Sequence, residues 1–173
     1  MKLPLSRIKY VGVFDLDAFL GAINGWFMKE RYDVAETAHK YKVDDMEIVF
    51  DGMRQTNWYL KNLVKVQVKI NGARDVEITK GPMVVKATHG RVAIWIVSSL
   101  DEPEWSKKYG GWDGRSTKGA KVNFYDFLQK IFSKYIYIYK IREYAKALDD
   151  SIRLELEPKI RQALAFETVI QHA

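Results

Sequence analysis

Two carboxylates stand two residues apart at Asp15 and Asp17, directly after the apolar residues Val13 and Phe14. If this apolar run is a strand that turns into a helix, both carboxylates reach the same point at the end of the strand. Two carboxylates aimed at one point are what nucleophilic, metal-assisted chemistry on a phosphate requires. The competing interpretation is that Asp15 and Asp17 cap the helix that follows and complement its dipole.

The segment from Val13 to Asp17 resembles the first motif of haloacid-dehalogenase-type phosphatases. The likeness is short, and the glycine and threonine that follow the second aspartate in that family are replaced by Ala18 and Phe19. Ser98 is a candidate for the family's second motif. The resemblance implies a phosphatase on a doubly wound parallel sheet. The chain after Asn57 lacks the alternating strands and helices of such a fold, so a phosphatase is the third of three functional hypotheses.

Composition excludes several kinds of site. The 173 residues contain no cysteine, which rules out disulfides, thiol nucleophiles and thiolate metal sites. The three histidines, His39, His89 and His172, are far apart and their spacing suggests no metal site, so we expect neither a metal nor a cofactor. No segment has the length of about 20 apolar residues that spans a bilayer, and Met1–Tyr10 does not resemble a signal peptide. We therefore expect a cytoplasmic protein.

A basic and aromatic segment is the best candidate for a ligand-binding loop. The stretch 101–121 shows no periodicity, and loops of that length are either functional or mobile. Cations that neutralise phosphate, interleaved with aromatic rings that stack on bases, are typical of single-strand binding. The alternative is that the tryptophans anchor the loop to the core while the lysines stay solvated. The candidate residues are Trp105, Lys107, Lys108, Tyr109, Trp112, Arg115 and Lys118.

The C-terminal part of the chain predicts a long helix over 122–157. Pro158 then either kinks this helix or starts a short last one that reaches Phe166. Within the long helix, the stretch Tyr135–Tyr139 is apolar or aromatic on every side, and such a helix must be covered on more than one side. Either the sheet or another subunit covers it. The candidate protein-contact residues are Tyr135, Tyr137, Ile138 and Tyr139.

The N-terminal half predicts one helix and two strands. Apolar residues recur at helical spacing between Asp15 and Arg31, and Asp15 suits the N-cap position. Two strands follow, over Val34–Tyr41 and Met46–Phe50, joined by a turn.

The clearest pattern lies between Asn57 and Leu100. Alternation from Trp58 to Ile70 gives one apolar and one mainly basic face, as in a half-buried strand. Asn71-Gly72, Lys80-Gly81 and His89-Gly90 predict tight turns, so the region is expected to hold four antiparallel strands. The strand that ends it, Arg91–Leu100, carries Val92, Ile94 and Ile96 on one face and Arg91, Ala93, Trp95 and Val97 on the other.

Several positions together resemble a family of small, uncharacterised archaeal proteins. These are Trp26, Tyr32, Trp58–Ile70, Asp75-Val76-Glu77 before Gly81, Leu100-Asp101 ahead of Trp105, Phe127 and Tyr135. The resemblance implies an archaeal, cytoplasmic protein and supplies no activity. The composition is compatible with a thermophile.

Taken together, the sequence predicts a single α+β domain over 1–173. An antiparallel β-meander of five to six strands is packed by an N-terminal helix and a long C-terminal helix. The first functional hypothesis is a non-enzymatic structural, assembly or adaptor module that acts through protein–protein contacts or self-association. The second is a nucleic-acid or anion-binding module that uses the 105–121 loop. The net charge of +6 permits the second hypothesis without requiring it.

Overall fold

The computed structural model describes residues 2–42, 44–57, 60–80, 83–101 and 138–165. These residues form an α+β arrangement with a five-stranded antiparallel sheet, which confirms the predicted fold class. The elements in chain order are β1 (Ser6–Phe14), α1 (Leu16–Lys29), β2 (Asp33–Lys42), β3 (Asp45–Asn57), β4 (Leu60–Lys80), β5 (Met83–Asp101), α2 (Ile138–Ser151), a π-helical segment (Ile152–Leu156) and α3 (Glu157–Leu164).

The strand order across the sheet is β1-β5-β4-β3-β2. Strands β2 to β5 therefore form the expected meander, in which each strand pairs with the next. Strand β1 lies outside the predicted strands, and it pairs with the far side of β5. The sequence pattern hides β1 because Gly12 interrupts it and its apolar residues occupy both odd and even positions.

Two of the three turns predicted between Asn57 and Leu100 are wrong. Strand β4 runs straight through Asn71-Gly72, and β5 runs straight through His89-Gly90, so only the break near Gly81 separates strands. At Gly72 the backbone φ is +65°, and the pairing shifts there by one residue. Asn-Gly suits a bulge as well as a hairpin turn, because both need a residue with positive φ. The sequence pattern alone does not separate the two.

Helix α1 begins where the sequence predicts. The Asp15 carboxylate accepts a hydrogen bond from the Ala18 backbone N–H at 3.0 Å, as an N-cap does. The helix ends at Lys29, and Arg31 just beyond it has a φ of 56°. The buried side chains of α1 are Phe19, Ile23, Trp26 and Phe27.

The C-terminal helix stays helical through Pro158. Its buried residues repeat at every fourth position from Ile152 to Leu164, which makes 12 residues for three repeats. Three turns of a regular α-helix take only about 11 residues. The π-helical segment absorbs the extra residue, since the Glu157 N–H donates to the Ile152 carbonyl five residues back. Leu164 therefore returns to the same side as Ile152. The predicted helix over 122–137 and Phe166 lie outside the described residues.

All three helices pack on one face of the sheet. Ile8, Ile94, Val68 and Ile48 lie side by side on β1, β5, β4 and β3, and they belong to one buried cluster with the helix residues. Phe27 of α1 makes the closest approach. Its ring lies directly on Gly52 of β3, where a Cβ atom would overlap the ring. The core therefore depends on the absence of a side chain at Gly52.

We predict that Gly52→Ala lowers the free energy of unfolding by about 1–3 kcal/mol, because the added methyl displaces the buried Phe27 ring. Gly21→Ala is the matched control. A Cβ at Gly21 meets nothing within 4 Å, so alanine there should raise stability by up to about 1 kcal/mol through helix propensity. Urea unfolding followed by circular dichroism measures both. Equal effects of the two substitutions would contradict the close packing at Gly52.

Candidate binding surface

One face of the sheet carries none of the described helices, and we call it the open face. It holds the residues that alternate with the buried core, including the strand face predicted to be basic. Lys65 and Lys69 keep 51% and 41% of their side-chain surface exposed. Strands β1, β3, β4 and β5 contribute most of the open face. Its residues on these strands include Arg7, Lys9, Glu47, Asp51, Met53, Leu63, Lys65, Gln67, Lys69, Arg91, Trp95 and Val97.

An apolar depression of about 340 Å³ lies on the open face. Met53 and Val97, which are 43% and 40% exposed, line it together with Leu63. Strand pairing explains the grouping. Met53 of β3 lies directly opposite Leu63 of β4, and Val97 of β5 lies opposite Lys65, two residues along β4 from Leu63. Exposed apolar residues that are grouped, unlike scattered ones, indicate a contact surface.

A cation and an anion flank this depression. Lys65 Nζ lies 3.3 Å from a carboxylate oxygen of Asp51, the residue that faces it across the strand pair. Thr37 donates a further hydrogen bond to Asp51 at 2.7 Å. The depression is thus an apolar patch with both charge signs at its margin.

Trp95 lies farther along the open face, between two cations. The guanidinium carbon of Arg7 is 5.3 Å from the centre of the indole ring, and Lys69 Nζ is 5.7 Å from it. Arg7 is on β1 and Lys69 is on β4, so the two cations approach from the strands on either side of β5. Cation–π contacts of this kind fix the ring, and Lys69 lies in addition 3.7 Å from a carboxylate oxygen of Glu47.

A second cavity, of about 310 Å³, separates the start of β1 from the C-terminal helix. Its polar groups mostly bind one another. Ser6 donates a hydrogen bond to Glu157, and Arg153 pairs with Asp149 at 3.1 Å. The Ser6–Glu157 bond joins the sheet to the helix, and the Arg153–Asp149 pair lies within the helix. We therefore interpret this cavity as part of the packing and not as a ligand site.

A buried polar cluster lies at the end of α1. The Tyr32 ring stacks on Trp26, and the Arg54 guanidinium lies 4.8 Å from the centre of the Tyr32 ring while donating to the carboxylate and carbonyl of Glu30. Burial raises the pKa of the Tyr32 hydroxyl above its ordinary value of 10.0, against the opposing effects of Arg54 and the nearby Asn62 amide. Even so, neither the Tyr32 hydroxyl nor Asn62 Oδ1 makes a hydrogen bond of good geometry with any of the described residues.

The residues of the phosphatase hypothesis lie at the junction of β1 and α1. Asp15 is the half-buried N-cap described above, and Asp17 is exposed in the first turn of the helix. Strand β1, which leads to them, is an edge strand of an antiparallel sheet. Ser98 is buried on β5, on the face that the helices cover. Among the described residues, no group of three histidine or acidic side chains is arranged to hold a metal ion.

Most of the other predicted site residues lie outside the described ranges. This applies to the whole candidate loop (Trp105, Lys107, Lys108, Tyr109, Trp112, Arg115 and Lys118) and to Tyr135 and Tyr137. Ile138 is the first residue of α2, and Tyr139 beside it is 68% exposed. In the part of the chain that the structure covers, no helix has both the length and the apolar character needed to cross a membrane.

Comparisons with known proteins identify no relative. No protein-family model matches the chain, and neither the curated proteins nor the solved structures give a similar one. The interpretation of the surface therefore rests on its own geometry. The sequence contained part of that geometry, because the alternation in β5 assigns Trp95 and Val97 to the face opposite Ile94. What it lacked was β1, which brings Arg7 and Lys9 beside them.

We predict that Tyr32→Phe changes stability at neutral pH by less than about 1 kcal/mol, because the hydroxyl that is lost has no partner. The two proteins should differ in alkali. Below about pH 10 the hydroxyl is protonated in both the folded and the unfolded chain. Above that pH the unfolded chain releases the proton while the folded chain keeps it, so the parent loses stability as the pH rises toward the raised pKa.

The measurement is the difference in unfolding free energy between parent and Tyr32→Phe as a function of pH. This difference should stay constant to about pH 9. At higher pH the unfolding free energy of the parent should fall relative to that of Tyr32→Phe by up to about 1.4 kcal/mol per pH unit. The other tyrosines are present in both proteins and cancel from the difference. A difference that stays flat in alkali would show that Tyr32 ionises normally when folded.

Proposed function

We propose that this protein is a non-enzymatic assembly module, and that a second copy of the chain packs on the apolar depression of its open face. The observation that carries the proposal is the grouping of Met53, Leu63 and Val97 around one depression, with two of the three at least 40% exposed. A cytoplasmic location goes with this proposal as an expectation.

Self-association fits the charges around the depression. In a two-fold symmetric dimer the same patch meets itself, so the patch must be complementary to its own rotated copy. Lys65 and Asp51 lie side by side at the margin of the depression. Rotation about an axis through the apolar centre brings Lys65 toward the partner subunit's Asp51, and Asp51 toward the partner subunit's Lys65. A patch flanked by one charge sign alone would repel its copy.

The size of the face is also adequate. Five strands at the usual spacing of about 4.8 Å span roughly 20 Å, and strands of this length extend about 30 Å or more. The projected area is therefore roughly 600 Å², which corresponds to a larger accessible area. Stable interfaces bury about 800 Å² of accessible surface on each partner.

The test compares two methionines. We predict that the parent dimerises at micromolar concentration and that Met53→Lys raises the dimer dissociation constant at least about tenfold, because it places a charge in the apolar centre. Met28→Lys is the matched control, since Met28 is 79% exposed on helix α1 and away from the open face. It should leave the dissociation constant unchanged.

Sedimentation equilibrium measures the dimer dissociation constants of the parent and the two variants, and circular dichroism checks that each variant is folded. A parent protein that stays monomeric at about 100 µM would overturn the proposal, since that limits any self-association to a weak encounter. A dimer that Met28→Lys weakens as much as Met53→Lys would assign the interface to another surface.

A further inference from the structure

A second part of the open face has a different character from the apolar depression. Arg7 and Lys9 lie two residues apart on the edge strand β1, and Arg91 lies on β5 next to them, opposite Val11. All three side chains are exposed. We call these three residues the basic strip.

The charges of the basic strip have no anionic partner among the residues that the structure describes. Within the described ranges, no carboxylate lies at ion-pair distance from Arg7, Lys9 or Arg91. The other half of the open face differs, because Lys65 pairs with Asp51 at 3.3 Å and Lys69 lies 3.7 Å from Glu47. The uncompensated positive charge is therefore concentrated along β1 and β5.

The half-buried indole of Trp95 borders the basic strip. It lies directly opposite Arg7 across the β1–β5 pair, and Lys69 approaches it from β4. A base that stacks on this ring takes the place of the Arg7 guanidinium, which lies over the ring and is then free to neutralise a phosphate. Stacking and phosphate neutralisation thus occur at one place. Proteins that bind single strands without sequence preference combine these two interactions.

We propose that the basic strip and Trp95 bind a single-stranded nucleic acid, with phosphates along Arg7, Lys9 and Arg91 and a base against Trp95. Among the described residues, no helix lies on this face to enter a duplex groove, which favours a single strand over a duplex. A lipid surface is a poorer match, because Trp95 is half-buried and held between Arg7 and Lys69, so it does not project to insert. The basic strip and Trp95 share no residue with the lining of the apolar depression, and a dimer that covered the whole open face would compete with the strand.

The experiment measures fluorescence anisotropy of a labelled single-stranded oligonucleotide of about 20 nucleotides, titrated with the full chain at several salt concentrations. Binding should weaken as salt rises, with a slope of about −2 for log K against log salt, as three phosphate contacts on a single strand require. The combined substitution Arg7→Gln, Lys9→Gln and Arg91→Gln should weaken binding at least about tenfold and flatten this slope.

A charge-matched variant supplies the control. Arg142→Gln, Lys146→Gln and Arg161→Gln remove three exposed cations from α2 and α3, so the net charge changes equally while the open face stays intact. This variant should bind as the parent does. Trp95→Leu should weaken binding about tenfold, and Trp95→Phe should recover part of the loss because it keeps an aromatic face.

Three outcomes would overturn the inference. The first is no anisotropy change at about 50 mM salt, where phosphate contacts are strongest. The second is equal weakening by the two triple variants, which would show that overall charge and not the basic strip attracts the strand. The third is binding to phosphatidylserine vesicles with none to the oligonucleotide. Met53→Lys leaves the basic strip unchanged. Sedimentation equilibrium tests dimer formation and fluorescence anisotropy tests strand binding, so one proposal can fail without the other.

Discussion

Burial of one face of the sheet is the constraint on which the rest of the structure depends. The apolar residues of four strands form rows across the sheet, and each row must be covered because its exposure to water is unfavourable. The three helices meet this need from one side. The position of α1 is the most restricted, since the Phe27 ring fits only where Gly52 leaves space for it. The π-helical segment serves the same constraint by keeping Leu164 in line with Ile152.

The opposite face carries none of the described helices, and polar contacts between its own side chains stabilise it. On the β3–β4 side this occurs through cross-strand pairs such as Lys65 with Asp51 and Gln67 with Glu47. On the β1–β5 side the cations instead contact the indole of Trp95 or face solvent. One surface thus has a charge-paired part around an apolar depression and an unpaired basic part around an aromatic ring.

The sequence predicted the elements whose pattern is local. Alternation identified the long strands, and the spacing of apolar residues after Asp15 identified α1 with its N-cap. The prediction was wrong where two kinds of local structure have the same sequence pattern. At Asn71-Gly72 a residue with positive φ is compatible with a bulge as well as with a turn, and the structure has a bulge there. The prediction also failed for β1, whose place beside β5 depends on pairing with residues more than 70 positions away. Since Arg7 and Lys9 are on that strand, the basic strip was not predictable from local pattern.

The bulge at Gly72 has a consequence for the orientation of the outer ends of β4 and β5. Before the bulge, even-numbered residues of β4 pair with even-numbered residues of β5, as Val68 does with Ile94. After it, Val76 pairs with Ala87, and Asp75 pairs with Thr88. One extra residue has therefore inverted the parity of the strand. Val76 and Ile78 consequently lie on the side of the open face, whereas the unshifted alternation would direct them toward the helices. The one extra residue in the bulge thus decides which side of the β4–β5 ribbon is apolar, although the residues on either side of it keep their alternation of apolar and polar types.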